Sequence, residues 1–141
     1  MKMLIAIDGS EPALNAVRFA VNFVGKLSEP SSVTLINVQD DAAVHYAGRF
    51  VGQHGAGDYL RDQSESELAP ARALLDAAGI QHDSQVRTGH IASAIVAAAQ
   101  EANVDVIVLG SKGRSSLRDM LIGSVAKRVM ELAKGPVLLV R

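Results

Sequence analysis

The chain has 141 residues, the length of one domain, and a formal net charge of −1, so its overall field does not favour a nucleic-acid partner. It contains no cysteine, which excludes disulfides, thiol catalysis and zinc–thiolate sites. The apolar run at the N-terminus is too short for a membrane span or a signal peptide. We therefore expect a cytoplasmic protein that associates with neither membranes nor nucleic acid.

The first part of the chain predicts a strand, a helix and a second strand. Residues 3–7 are continuously apolar, which is typical of a strand covered on both faces. Ser10 is a good N-cap and Pro12 suits the first turn of a helix. After a break near Pro30, residues 33–38 predict the second strand.

Residues 39–58 are the least regular segment and are predicted to form a long loop. Loops of this length in compact domains are usually functional or disordered. The glycines of this segment are Gly48, Gly52, Gly55 and Gly57. A helix is predicted over 59–78, which Pro70 should kink or split and after which Gly79 should form the C-terminal cap.

The last part of the chain continues the alternation. Residues 80–87 predict a weaker strand near a sheet edge, and 88–90 begin a third helix. The apolar run 104–109 predicts a buried strand, 123–133 a helix, and 136–141 a final strand.

Strands and helices thus alternate five times over residues 1–141, with no linker or internal repeat. This pattern predicts a single-domain, three-layer α/β sandwich, in which a five-stranded parallel sheet carries helices on both faces in a Rossmann-like arrangement. In such sheets ligands bind beyond the carboxyl ends of the strands. Both glycine-bearing turns, at Gly9 and at 110–113, follow predicted strands.

The glycine-rich segment after the fourth strand indicates an anion site. Gly110 and Gly113 leave the strand, and Gly123 and Ser124 stand at the start of a helix, in the spacing G-x2-G-x9-G-[ST]. Ser124 is predicted to be the N-cap of that helix. Glycine permits close approach of a ligand, and a helix N-terminus favours negative charge. The same segment carries basic side chains, namely Lys112, Arg114 and Arg118. Together these features predict a pocket for phosphate.

Two common nucleotide-binding motifs do not fit. A P-loop requires G-x-x-x-x-G-K-[ST], but Gly113 is followed by Arg114 and Ser115. A dinucleotide fingerprint requires G-x-G-x-x-G after the first strand, where this chain has the sequence DGSEP.

Over essentially its whole length the chain resembles the universal stress protein family. The matching pieces are the opening LIAIDGS, the Asn37-Val38 strand end, the G-x2-G-x9-G-[ST] motif and the closing GPVLLV. In that family the glycine motif marks the subgroup that binds ATP. The resemblance implies an adenine nucleotide α-hydrolase-like fold with the sheet order 3-2-1-4-5.

The resemblance also implies a role for each site residue. Asp8 would accept hydrogen bonds from the ribose, the main chain of Val38 would bind adenine, and Gly110 would lie against the ribose. Backbone N–H groups and the Ser124 hydroxyl would hold the phosphates in the segment formed by Gly113, Arg114, Gly123, Ser124 and Val125. Ile7 and Ser111, adjacent to these residues, complete the predicted site.

A magnesium ion bridging phosphate oxygens and a homodimer are implied as well. The dimer has independent support, because in this order residues 136–140 would be an uncharged apolar edge strand, which a soluble monomer usually covers. Pairing with the same strand of a second copy would cover it.

These observations predict an ATP-binding module in the stress response, whose occupancy is reported to a protein partner that the sequence does not identify. No side chain is a convincing general base for phosphoryl transfer, so we predict no catalytic residue and at most slow ATP hydrolysis. One alternative is a homodimeric scaffold that binds no nucleotide. Another is an adenylating enzyme, although the motifs of such enzymes are missing here.

Structural explanations stand beside the functional ones. The glycines could simply form turns, Asp8 could cap a helix, and the basic residues could be solvated surface groups. Tyr46 and Phe50 could form a lid over the nucleotide or a local core. The histidines show no metal-ligand spacing and are predicted to be surface or loop residues without a specific role: His45, His54, His82 and His90.

Overall fold

Five parallel strands form one sheet in the order β3-β2-β1-β4-β5, as predicted. The computed structural model describes residues 1–112 and 122–141, without the side chains of 41, 43–44, 46–48, 50–54 and 56. The elements are β1 (Lys2–Ala6), α1 (Glu11–Val24), β2 (Ser32–Gln39), α2 (Asp41–Ala77), β3 (His82–Thr88), α3 (Ile91–Glu101), β4 (Val106–Gly110), α4 (Ser124–Leu132) and β5 (Val137–Val140).

Each face of the sheet carries two helices. Alternate side chains of a strand point to opposite faces, so Ile5 packs under α1 and α2 whereas Leu4 packs under α3 and α4. Both side chains are fully buried, which explains why the central strands are continuously apolar. Alanines such as Ala16 of α1 and Ala98 of α3 let the helices lie close to the sheet.

The helix α2 differs most from expectation. The predicted loop over 39–58 is wrong, because β2 continues to Gln39 and α2 runs without interruption from Asp41 to Ala77. Its N-cap is Asp40, whose Oδ1 accepts the Ala42 N–H at 3.0 Å. The glycines of this segment lower helix propensity by about 1 kcal/mol each relative to alanine, which made the sequence resemble a loop.

Pro70 does not split α2. A proline in a helix removes one backbone hydrogen bond, at a cost of roughly 3 kcal/mol. The neighbouring side chains Leu68, Ala71 and Leu75 are completely buried against the sheet. Burial of each of the two leucines contributes about 1.5–3 kcal/mol, which offsets that cost.

The predicted helix ends are confirmed at α1 and α2. The Ser10 side chain accepts the Ala13 N–H at 3.4 Å as the N-cap of α1, and Pro12 lies in the first turn. Gly79 follows α2 with φ +65°, a backbone conformation that favours glycine.

β3 lies at one sheet edge, as its polar sequence predicted, and β5 lies at the other. Arg87 of β3 forms a bidentate pair with Glu101 of α3, and this pairing lowers the pKa of the Glu101 carboxyl. Charged groups on an edge strand discourage pairing with another chain. β5 carries only Val and Leu, and it therefore lacks this protection.

No helix in the described part of the chain has the length and hydropathy needed to cross a bilayer.

Gly110 is required by packing as well as by position. A Cβ atom there would lie 2.6 Å from the carbonyl carbon and 2.7 Å from the oxygen of Pro12, in the first turn of α1.

Replacing Gly110 by alanine should therefore lower the free energy of unfolding by about 2 kcal/mol, the typical cost of overpacking. Urea denaturation would measure this change. The matched control is Gly135→Ala, whose Cβ would meet nothing within 4 Å, and an equal loss in both variants would contradict the packing argument.

Candidate functional site

A cavity of about 430 Å³ opens at the carboxyl ends of β1, β2 and β4. This is where the strand order reverses and where α/β sheets bind ligands. Residues from the strand ends, α2 and the start of α4 line it: Ala6, Ile7, Asp8, Ala13, Ile36, Val38, Gln39, Asp40, Gln63, Glu67, Ile91, Ile95, Leu109, Gly110, Lys112, Gly123, Ser124, Val125 and Ala126.

The fold brings most of the predicted site residues to this cavity. Those that line it are Ile7, Asp8, Val38, Gly110, Gly123, Ser124 and Val125. Ser111 does not line it and is buried behind it. Gly113, Arg114 and Arg118 lie outside the described residues. The cavity is thus lined by residues from distant parts of the chain. Their contacts with a ligand remain predictions.

Asp8 follows β1 and turns the chain toward α1. Its carboxylate accepts hydrogen bonds from the Ser10 N–H, at 3.0 Å, and from the Ser10 hydroxyl. This turn requires φ +78° at Gly9. Asp8 therefore has a local structural role and also lines the cavity, so the two explanations of this residue are compatible.

The backbone of Val38 faces the cavity because β1 ends before β2. The last strand pair is Ala6↔Ile36, after which the Ile36 carbonyl accepts the Ile7 N–H at 2.8 Å. Ile36 thus directs its backbone groups toward β1, and Val38, two residues later, directs its own to the same side. The Val38 N–H and C=O consequently border the space where β1 would have continued.

The start of α4 also lines the cavity. Gly123 is the N-cap and Ser124 the first residue of α4, so the prediction that Ser124 is the N-cap is wrong by one position. Gly123 takes that place because its N–H donates to the Ser111 carbonyl at 2.7 Å, while the Ser111 N–H donates to Val140 at 2.6 Å. These bonds connect the N-terminus of α4 to the ends of β4 and β5, and both Lys112 and the first residues of α4 line the cavity.

A buried polar network, which the sequence reasoning missed, forms the α2 wall. Asn37 of β2 is 1% exposed, and its Nδ2 donates to the Ile7 carbonyl at 2.9 Å and to Glu67 Oε2 at 2.7 Å. Gln39 Nε2 donates to Asn37 Oδ1 and to Ser64 Oγ, both at 2.9 Å. Gln63 Nε2 donates to Glu67 Oε1 at 3.1 Å.

The signal for this network was present in two local patterns. Asn37 interrupts an otherwise apolar strand, and Gln63 and Glu67 are spaced i, i+4 on one helix face. Asn37 and Glu67 come into contact because α2 packs against β2. Neither pattern specifies that packing.

Comparison with known proteins agrees with this geometry. The family model for the universal stress protein family matches residues 1–141. The chain belongs to this family.

Individual relatives match over nearly their full length. Universal stress protein YxiE of Bacillus subtilis is 32% identical over 148 residues, covering 99% of this chain and 98% of YxiE. The structure of MJ0577, a universal stress protein of Methanocaldococcus jannaschii, superposes with a TM-score of 0.86 at 26% identity, covering 99% of this chain and 94% of that one.

Two solved neighbours hold a nucleotide, and one of them is in complex with cAMP, with a TM-score of 0.68 and 22% identity, covering 100% of this chain and 96% of that one. The other binds a deoxynucleotide. It is a universal stress protein of Archaeoglobus fulgidus in complex with dAMP, with a TM-score of 0.69 and 22% identity, covering 100% of this chain and 98% of that one. At this identity the likeness establishes a shared fold.

None of the histidine side chains that the structure describes lines the cavity. His90 is exposed as the N-cap of α3, His45 is exposed on α2, and the side chain of His54 lies outside the described part. His82 contradicts the surface prediction, since only 13% of its side chain is exposed and its Nε2 contacts Asp76 Oδ1 at 2.9 Å. It is covered because the end of α2 packs beside β3. Within 1–112 and 122–141, no cluster of His, Cys, Asp or Glu could hold a metal ion.

The predicted lid is not tested, because the side chains of Tyr46 and Phe50 lie outside the described part of the chain.

Asn37 should be the most sensitive member of the network. Asn37→Ala removes the donor to the Ile7 carbonyl and to Glu67, and leaving buried polar groups unsatisfied costs about 1–3 kcal/mol. We expect a loss of that size in the free energy of unfolding, measured by urea denaturation. Asn22→Ala on the exposed face of α1 is the control and should change stability by less than about 0.5 kcal/mol. Equal stability of the two variants would contradict a structural role for the network.

Proposed function

We propose that this universal stress protein binds ATP in the cavity at the carboxyl ends of the strands, and that its occupancy is reported to a protein partner in the cytoplasm. The observation that carries the proposal is that one cavity is lined by groups suited to a base and by groups suited to phosphates. The Val38 main chain lines it, and so do Lys112 and the N-terminus of α4. The donor and acceptor of a main chain suit a neutral base, and a helix N-terminus suits phosphates.

The size and chemistry of the cavity fit an adenine nucleotide. Its volume of about 430 Å³ lies within the usual range for small-ligand sites, roughly 300–1,000 Å³. The Val38 N–H and C=O offer one donor and one acceptor, which match the N1 acceptor and the N6 amino donor of adenine. Guanine presents a donor and the O6 acceptor instead, so the pairing would be reversed. The dAMP complex of the Archaeoglobus fulgidus protein supports the same class of ligand.

Magnesium would enter with the nucleotide. The described residues hold no acidic cluster that could bind it alone, so phosphate oxygens and water would supply the ligands. The sequence offers no convincing general base for phosphoryl transfer. We therefore propose ligand binding with slow turnover at most.

Calorimetric titration of ATP with Mg²⁺ into nucleotide-stripped protein tests the proposal. We expect micromolar affinity, about −8 kcal/mol, with weaker binding of GTP because of the reversed donor and acceptor at Val38. The absence of heat and of a thermal shift with any nucleotide would favour the scaffold without a ligand.

Ser124→Ala should separate phosphate binding from base binding. Its hydroxyl lies at the cavity end of α4, and loss of a hydrogen bond to a charged group should weaken ATP binding by about tenfold. AMP, which lacks the outer phosphates, should bind the variant and the wild type equally. Ser31→Ala, in the turn before β2 at the other end of the sheet, is the control and should change neither affinity. Equal losses for ATP and AMP would place Ser124 near the base or the sugar instead.

We propose that two copies pair through residues 136–140. The carbonyls of Pro136 and Val140 accept hydrogen bonds from the β4 side, so the backbone groups of Val137 and Leu139 point to the outer edge. The side chains of this edge strand are apolar and uncharged. The β5 strand of a second copy would supply hydrogen-bond partners for its outward backbone groups.

Leu139→Pro tests the dimer, because it removes one outward N–H and leaves the β4 ladder intact. We expect the wild type to sediment as a dimer at micromolar concentration and the variant as a monomer. Leu139→Val, which keeps the N–H, should remain dimeric. A wild-type protein that sediments as a monomer would contradict the proposal.

A further inference from the structure

An exposed pair of aromatic side chains lies on α1. The rings of Phe19 and Phe23 are stacked with their centroids 5.6 Å apart, and Phe23 is 36% exposed. Both residues follow Pro12 on one stripe of the helix, at i+7 and i+11. The backbone of Pro12 packs on Gly110 of β4, so this stripe is the flank of α1 that faces β4 and, beyond it, β5. Because βαβ crossovers are right-handed, the same flank is turned away from α2, which covers β2 and β3.

The helix α4 carries an exposed apolar side chain beside β5 on the opposite face of the sheet. Val125 and Arg128 of α4 border the start of α3, whereas Met130 lies about 200° round the helix from Arg128 and is 40% exposed. Met130 is therefore on the flank of α4 that faces away from α3 and toward β5. Exposed apolar side chains thus lie beside the β5 edge on both faces of the sheet.

The backbone of β5 fixes how a second copy would approach. Since the outward N–H and C=O groups belong to Val137 and Leu139, antiparallel pairing would join Val137 of each copy to Leu139 of the other. The two-fold axis would then pass beside Leu138, perpendicular to the sheet. Such an axis keeps each face of the sheet on the same side, so both α1 helices would flank the junction on one face and both α4 helices on the other.

The strand pair needs additional surface to form a stable dimer. β5 has four residues, whereas a stable interface contains about 20–30 residues from each partner. α1 packs on β1, β4 and β5, with β4 in the middle, so the two α1 axes would lie three strand spacings apart, roughly 14 Å. Helices in direct contact are about 8–10 Å apart, so large side chains such as Phe23 are required to fill the gap.

We propose that Phe23 on one face and Met130 on the other are the apolar contacts that hold a second copy of this chain beside the paired β5 strands. Stacking on Phe19 keeps the Phe23 ring in one orientation, which reduces the entropy lost on association. The two-fold axis makes each contact occur twice in the dimer. This inference rests on the proposed pairing through residues 136–140.

Sedimentation equilibrium of wild type, Phe23→Ala, Met130→Ala and Val86→Ala tests the inference. Phe23→Ala and Met130→Ala should each weaken dimerisation by about tenfold or more, because a buried apolar contact is lost twice. Val86 is an exposed apolar residue on β3, at the opposite edge of the sheet, and its replacement should leave the dimer dissociation constant unchanged. Urea denaturation checks that each variant is folded, and Phe23→Leu, which also removes the ring, replaces Phe23→Ala if that variant does not fold.

A separate variant tests the strand pairing itself. The chain has no cysteine, and the two Leu138 Cα atoms would lie about 4.5 Å apart at the axis, within the range of a disulfide. Leu138→Cys should therefore form covalent dimers on oxidation. Monomeric wild type together with no cross-linking would overturn the proposed pairing and this inference with it.

The remaining outcomes concern the helix flanks alone. A dimeric wild type whose dissociation constant is unchanged in Phe23→Ala or in Met130→Ala would overturn the inference for that face of the sheet and leave the strand pairing intact. An equal loss in Val86→Ala would overturn it for both faces, since the effect would then not depend on position beside β5.

Discussion

The early end of β1 is the constraint on which the site depends. β1 pairs with β2 as far as Ala6↔Ile36, whereas β2 continues through Gln39 and pairs with β3. This stagger leaves the Val38 main chain facing open space and places Asp8 at the edge of that space. A ladder that continued along β1 would satisfy the same backbone groups and close the cavity.

Terminating a central strand inside a protein leaves polar groups that require partners. Asn37 meets this requirement, because its buried side chain donates a hydrogen bond to the Ile7 carbonyl and another to the Glu67 carboxylate. The network extends through Gln39 and Ser64 into α2, so the helix that covers the sheet also forms a wall of the cavity. Stability of this end of the sheet and the shape of the cavity therefore depend on the same hydrogen bonds.

The cavity is lined by charges of both signs. Asp8, Asp40 and Glu67 contribute carboxylates, and Lys112 and the N-terminus of α4 contribute positive charge. A phosphate is disfavoured near the carboxylates and favoured near the helix N-terminus. The proposed nucleotide would therefore place its phosphates at the start of α4.

The sequence by itself determined the class of fold, the strand order through its family resemblance, and seven of the residues that line the cavity. It could do so because mostly apolar runs such as 104–109 indicate buried strands, and because glycines at strand ends indicate close approach of the backbone.

Only the tertiary structure decided the rest. The glycines before Tyr59 indicated a loop, yet one helix runs from its N-cap at Asp40 to Ala77, because glycine lowers helix propensity by only about 1 kcal/mol per residue and does not forbid the helical conformation. The contact between Asn37 and Glu67 joins residues 30 positions apart, and no local pattern encodes such a distance.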